Sequence, residues 1–359
     1  AGFLAVVAIG CAGYALGGVA LGVYAGLALS ATYMHAAISQ IVTLDAGLSS
    51  FLALGFAGLV IAQRPETAAG ARRTWMWVAW AALAGATLSK GLIGVVLPAG
   101  ALVVYTALTR DFALWRRLHL ASGLALYFAL TVPWFVAVAR ANDEFLRFFF
   151  VHEHFERFLT TGHDRAGPWY YFVPWFAVGI LPWLTVLMYG AWPAWRDGTP
   201  NVLGFSWQRF ALVWAAFVLL FFSASGSKLP SYILPMFPPL ALVIGWLLAG
   251  LDARMLFRLL LPLVVAGTAL TLAIVFAYDR YAPEFATARM PAAILIGFGA
   301  WVKASAVTAA AGGILALVAL RRAARKPRLR LRGIAILALA SLGAVQIAVA
   351  GFDAFSPMR

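Results

Sequence analysis

The sequence predicts an all-α integral membrane protein of many spans, and three observations predict it. Of its 359 residues, 64% are hydrophobic and only 11% are charged, whereas soluble domains carry about 25% charged residues. Apolar runs near the roughly 20 residues of a bilayer-crossing helix recur along the whole chain. The basic residues sit in the short gaps between those runs. That is the pattern of membrane orientation, not of a phosphate-tracking stripe, so the net charge of +14 does not indicate a nucleic-acid partner.

The runs follow in order. Residues 1–34 carry no charge and are too long for one comfortable span, so Gly17–Gly18 predicts a split into two tightly turned helices. Further runs cover 46–62, 75–88, 91–109, 119–139, 169–191, 210–224, 232–250, 259–278, 293–320 and 333–350. The expectation is about a dozen spans in a single polytopic domain over 1–359. A lone cysteine, Cys11, excludes an intrachain disulfide and a cysteine-rich metal site. The sequence opens inside an apolar run with no methionine and no basic flank, so a missing N-terminal part is expected.

Charge orients the spans. When the gaps are numbered alternately, one set (63–74, 110–118, 192–209, 251–258, 321–332) holds 17 of the 27 Lys and Arg, and the other holds 9. Lys303 lies within a run. Lys and Arg favour the cytoplasmic side, so the first set is read as inside. The second set then gathers Asp45, Lys90, His152, His154, Arg157, His163, Lys228 and Tyr232 at one outer rim. Ionisable groups near a membrane are costly unless solvated or paired, so a rim that collects them is a candidate site.

Each rim motif has its own chemistry. "IVTLDAGLSSF" puts Asp45 at a span start, where it can cap the helix. "TLSKGLIG" puts Lys90 in a short break whose Gly91 permits an unusual backbone, where a cation could meet a phosphate. Residues 140–172 alternate aromatic and charged positions near helical spacing. They read as an amphipathic helix on the membrane surface, within a juxtamembrane segment 140–168. On that helix His154 and Arg157 are i, i+3 neighbours, and His152 and Glu156, at i, i+4, could share a divalent metal ion. "SGSKLPSYILPMFPP" holds Lys228 and Tyr232 in a proline-rich turn. A Walker or Rossmann phosphate loop and a Gly-x-Ser-x-Gly elbow are both lacking in the sequence, so a nucleotide substrate is not indicated.

Taken together, "TLD" at 43–45, "SKG" at 89–91, "EHFERF" at 153–158, "GHDRAGPWYYF" at 162–172 and "SKLPSYILPMFPP" at 227–239 resemble the lipid-carrier-dependent glycosyltransferases of the protein-mannosyltransferase and aminoarabinose-transferase superfamily. The likeness is greatest to the bacterial aminoarabinose branch. It implies a GT-C helical bundle in the cell inner membrane with its site at the periplasmic rim. It also implies inverting transfer of a sugar from an undecaprenyl- or other polyprenyl-phosphate donor to an outer-leaflet acceptor such as lipid A.

The resemblance assigns Asp45, Lys90 and Arg157 to catalysis. Lys228, Tyr232, Tyr170 and His163 go to substrate, and His154 with His152 to a divalent metal. Cations fit that chemistry, because the leaving lipid phosphate gains negative charge as the sugar–oxygen bond breaks. The family's first outer loop carries an Asp-Glu pair and a Glu-Lys-Pro-Pro segment, and some members carry a soluble C-terminal domain. Neither is seen in this sequence, so the chain is expected to lack the general base, a role the resemblance gives to that Asp. Two other readings stay open: a transporter or lipid flippase, which would place ionisable groups near mid-membrane, and a non-catalytic assembly protein.

Overall fold

The computed structural model describes residues 1–145, 167–287, 291–326 and 329–355, and their regular elements are helices. The segment that carries His152, His154, Arg157 and His163 lies outside the described residues, as does most of the expected surface helix. The chain runs through α1 (Gly2–Ala31), α2 (Tyr33–Ile38), α3 (Leu44–Ala62), α4 (Ala69–Lys90), α5 (Ile93–Thr109), α6 (Leu114–Arg117) and α7 (Leu120–Ala141). It continues through α8 (Phe172–Gly179), α9 (Leu184–Arg196), α10 (Trp207–Ala224), α11 (Phe237–Gly250), α12 (Ala253–Tyr281), α13 (Ala292–Ala323) and α14 (Leu329–Phe355).

The split at Gly17–Gly18 is real. Both residues leave helical geometry, and Gly18 has φ 74°, which only glycine adopts at little cost. The two legs fold back on each other so closely that a Cβ on Gly13 would lie 2.9 Å from the Leu21 carbonyl. A second break falls inside the run 169–191, expected as one span. Here α8 and α9 meet at a bend of 103°. Pro182 has no N–H to continue a helix, and the junction is held elsewhere: the Tyr33 amide donates to the Leu181 carbonyl at 3.1 Å, and the Trp183 indole donates to the Ala28 carbonyl at 2.9 Å.

Among the described residues, eight helices are long and apolar enough to cross a membrane, or nine if the bent pair counts as one span. Three features separate this from a dozen. The folded-back α1 enters that count as one helix, α5 has only 17 residues, and α4 opens on the polar stretch Ala69–Thr74 with Arg72 and Arg73.

The bundle is centred on α3 and α11, whose faces are mostly covered, while α7, α12 and α13 are mostly uncovered and lipid-facing by composition. Lipid tails give no hydrophobic drive for helix association, so close contact relies on small residues. A Cβ on Gly245 of α11 would meet the Ala25 backbone at 2.6 Å, and one on Gly58 of α3 would meet the Trp75 carbonyl at 2.8 Å.

On the arginine-rich face the loops are clasped by a buried polar network. Arg117 donates to Gln63 Oε1 (2.8 Å), to Asp111 Oδ2 (2.8 Å) and to the Leu203 carbonyl. Asn201 donates to the Gln63 carbonyl at 2.9 Å. One guanidinium thus joins three loops that are far apart in sequence. Its fixed fork of donors suits that task better than a lysine would.

Candidate functional site at the opposite rim

The site is assembled from the ends of helices. Thr43 caps α3, accepting from the Ala46 amide at 3.3 Å. Asp45 is therefore not the cap, as its position had suggested. It sits one residue inside the first turn, where a carboxylate is favoured by the helix dipole and its side chain is free for other partners. Helix α4 ends at Lys90, and Gly91 turns the chain with φ 79°. A cation in that last turn is favoured by the opposite end of the dipole. Helices α3 and α4 are antiparallel neighbours, so the two residues face each other at one end of the pair.

Lys90 Nζ is ion-paired to Asp45 Oδ1. The second oxygen, Oδ2, accepts from Ser231 Oγ at 2.7 Å. Lys90 Nζ also lies 4.3 Å from the centre of the Tyr232 ring, within cation–π range. Asp45 is 7% exposed, whereas the Lys90 side chain keeps 23% exposure. The carboxylate is thus engaged at both oxygens and covered, while the ammonium retains an open side.

Tyr232 comes from a 3-10 turn, Pro230–Met236, whose first residue is a proline of fixed φ. Its ring packs against Phe222 (5.2 Å between centroids), and Phe222 packs on Phe172 (6.4 Å). This gives an aromatic wall beginning at Lys90. Lys228 stands at the far end, 5.7 Å from the Phe172 ring. Its ammonium donates to the carbonyls of Phe222 (3.4 Å), Ser223 (2.8 Å) and Ser225 (2.9 Å). Lys228 therefore closes the C-terminus of α10, and burial pushes its pKa below the ordinary lysine value. Gly167 lies over it, since a Cβ there would be 3.1 Å from Lys228 Cδ. Gly167, the residue before "PWYYF", is thereby placed at the rim. Tyr170 is half exposed and stacks edge-on with Trp169 rather than joining Asp45 and Lys90.

Of the expected site residues, then, Asp45, Lys90 and Tyr232 come together. Lys228 lies beside them but is turned into a helix end, and Tyr170 faces outward. Ser231 was missed by sequence reasoning. The only signal for it was a hydroxyl next to Tyr232 in the proline turn. Among the described residues no three His, Cys, Asp or Glu side chains gather as a metal site. Lys303 is not deep in the membrane. It pairs with Asp279 at 2.5 Å, and Asp279 lies about 39 Å along α12 from its arginine-rich end, beyond a hydrocarbon core of about 30 Å.

The fold and rim site define a class, the GT-C membrane proteins built as multi-span helical bundles. Within it the chain is similar to ArnT-like glycosyltransferases. Residues 2–152 match the family described as dolichyl-phosphate-mannose-protein mannosyltransferase. The fold is similar to ArnT from Cupriavidus metallidurans in the apo state (TM-score 0.87) and bound to undecaprenyl phosphate (TM-score 0.89). Sequence identity is 33% in both comparisons, over 98% of this chain and 61% of that one.

Among curated proteins, the chain is 32% identical over 260 residues to the undecaprenyl phosphate-alpha-4-amino-4-deoxy-L-arabinose arabinosyl transferase of Erwinia tasmaniensis. The match covers 70% of this chain and 45% of that protein. A second such transferase, from Pseudomonas fluorescens, is 36% identical over 55% of this chain and 37% of its own length. The chain spans less than half the length of these curated relatives.

Proposed function

We propose that the chain carries the lipid-phosphate site of a glycosyltransferase. The reaction is transfer of a sugar from an undecaprenyl- or related polyprenyl-phosphate donor to an outer-leaflet acceptor such as lipid A, with inversion at the sugar carbon. The observation that carries this reading is Lys90, an ammonium held by Asp45 and Tyr232 with one side left open. Support comes from the relatives, which are named as undecaprenyl-phosphate-dependent transferases, and from the similar ArnT structure bound to undecaprenyl phosphate.

In this reading the sugar–oxygen bond breaks and its electron pair stays with the lipid phosphate. A cation already in place at the developing charge needs no reorganisation at that moment. Asp45 fixes the position of Lys90, its carboxylate being covered and ion-paired rather than open to an acceptor. Tyr232 and the Phe222–Phe172 wall lie against the first isoprene units. Arg157, His163 and Tyr170 belong to the proposal on their sequence motifs. An ion at His152 and His154 is a separate proposal, tested by metal analysis of the purified protein against His154→Ala. Placement in a bacterial inner membrane with the site facing the periplasm is part of the proposal; the charge bias supports the orientation and the bacterial relatives the membrane, and labelling of cysteines introduced at 42 and 202 from each side tests it.

The decisive assay follows transfer of radiolabelled sugar from a polyprenyl-phosphate donor by the full-length protein. Lys90→Ala is expected to lose at least about 100-fold in rate. Undiminished transfer in that variant would remove Lys90 from the mechanism.

A further inference from the structure

A second feature lies far from the rim. Helices α12 and α13 leave between them a groove of about 470 Å³, lined by Phe257, Val264, Thr268, Leu272 and Leu317, with Arg321 at one end. The floor is a close contact, since a Cβ on Gly313 would lie 3.1 Å from the Val264 side chain. The end nearer the membrane centre is closed where Thr271 Oγ1 donates to the Ala306 carbonyl at 3.2 Å. The other end opens onto the arginine-rich face.

Length and charge specify the occupant. From Phe257 to Leu272 the helix rises about 22 Å. That is the depth of one leaflet with its interface, half the hydrocarbon core being about 15 Å. At the open end stand Arg254 and Arg258 of α12, Arg321 and Arg322 of α13, and Arg325 and Lys326 just beyond. The nearby acid, Asp252, is occupied as the α12 cap, accepting from the Met255 amide at 2.7 Å. None of these cations forms an ion pair among the described residues. A zwitterionic lipid could fill the apolar walls but would leave this positive charge unanswered. A lipid phosphate with net negative charge answers it, and a guanidinium grips phosphate through two donors.

We propose that this groove binds one anionic diacyl phospholipid from the leaflet on the arginine-rich face. Its acyl chains lie along α12 and α13, and its phosphate is held by Arg321. The site is separate from the rim and does not depend on the transferase reading.

The test uses the whole chain in nanodiscs of equal parts phosphatidylglycerol and phosphatidylethanolamine, with retained lipid counted by native mass spectrometry. Wild type is expected to retain phosphatidylglycerol over phosphatidylethanolamine by at least about threefold, against an equal ratio in the bulk. Arg321→Ala should bring the ratio back to bulk. Val264→Trp, which fills the groove, should lower the total lipid retained. Arg321 is exposed at a helix end, so its variant is expected to keep wild-type helix content by circular dichroism. A wild-type ratio equal to bulk, or enrichment that persists in Arg321→Ala, would overturn the proposal.

Discussion

Lys90 ends one helix and Asp45 begins its antiparallel neighbour, and their side chains are ion-paired across that junction. Each charge lies at the helix end that favours it, and the carboxylate is almost fully covered. Removing only the cation leaves a buried charge unpaired, which costs about 3–5 kcal/mol. Lys90→Ala should therefore lower the thermal midpoint, and Asp45→Asn combined with Lys90→Met should restore most of it. Transfer should not return in the double variant. Recovery of both stability and transfer would mean that the pair is structural alone.

Ser231 tests whether the position of the pair matters. Its hydroxyl holds Asp45 Oδ2, and a hydrogen bond to a charged group contributes about 1.5–3 kcal/mol. Ser231→Ala should weaken binding of undecaprenyl phosphate by about tenfold, with Ser231→Thr recovering most of the loss. Titration of the lipid by microscale thermophoresis reads this directly. Equal affinity in wild type and Ser231→Ala would leave Ser231 with no role at the site.

Lys228 should behave differently from Lys90. Three backbone carbonyls take its ammonium, so its charge is spent on closing α10. Lys228→Met is expected to lower stability by about 2 kcal/mol while changing the affinity for undecaprenyl phosphate less than threefold. A large loss of affinity with unchanged melting would instead make it a substrate contact, as its motif suggested.

His35 sets a pH dependence of folding. It is 3% exposed, with Nε2 3.3 Å from the Gly2 carbonyl and a buried Nδ1 that lacks a partner among the described residues. Burial lowers its pKa from the model-peptide value of 6.5 to about 4. Between these values the unfolded chain binds the proton and the folded chain does not. Stability is therefore full above pH 6.5 and falls as the pH drops toward 4, by about 3 kcal/mol at most. Thermal melts across that window should show the fall, and His35→Leu should flatten it. An identical slope in the variant would assign the effect elsewhere.

Much of the fold was legible because a bilayer imposes long apolar runs, and glycine and proline mark where they break. Gly17–Gly18 and Gly91 were read from type alone and turned the chain as expected. The bend at Pro182 was not, since an apolar run looks the same whether it passes straight through or folds, and tertiary partners on α1 and α2 decide. In the site, Asp45, Lys90 and Tyr232 could be read from ionisable or aromatic residues gathered on one rim. Ser231 could not, because a hydroxyl becomes informative only when its acceptor, 186 residues away in sequence, is known. Lys228 was visible as a charge, but its direction depends on where α10 ends. For Lys303, sequence gave the run it lies in but not Asp279, which pairs with it at the outer edge.

The clasp around Arg117 has a mechanical consequence. It fastens three loops at one end of the bundle, about 26 Å along α3 from Asp45. At the rim, α3 is tied to α4 by the Lys90–Asp45 ion pair and to the Pro230–Met236 turn by the Ser231 hydroxyl. The base of α3 is thus cross-tied to more of the chain than its rim end, and deuterium uptake should rise from the Gln63 end of α3 toward its Asp45 end.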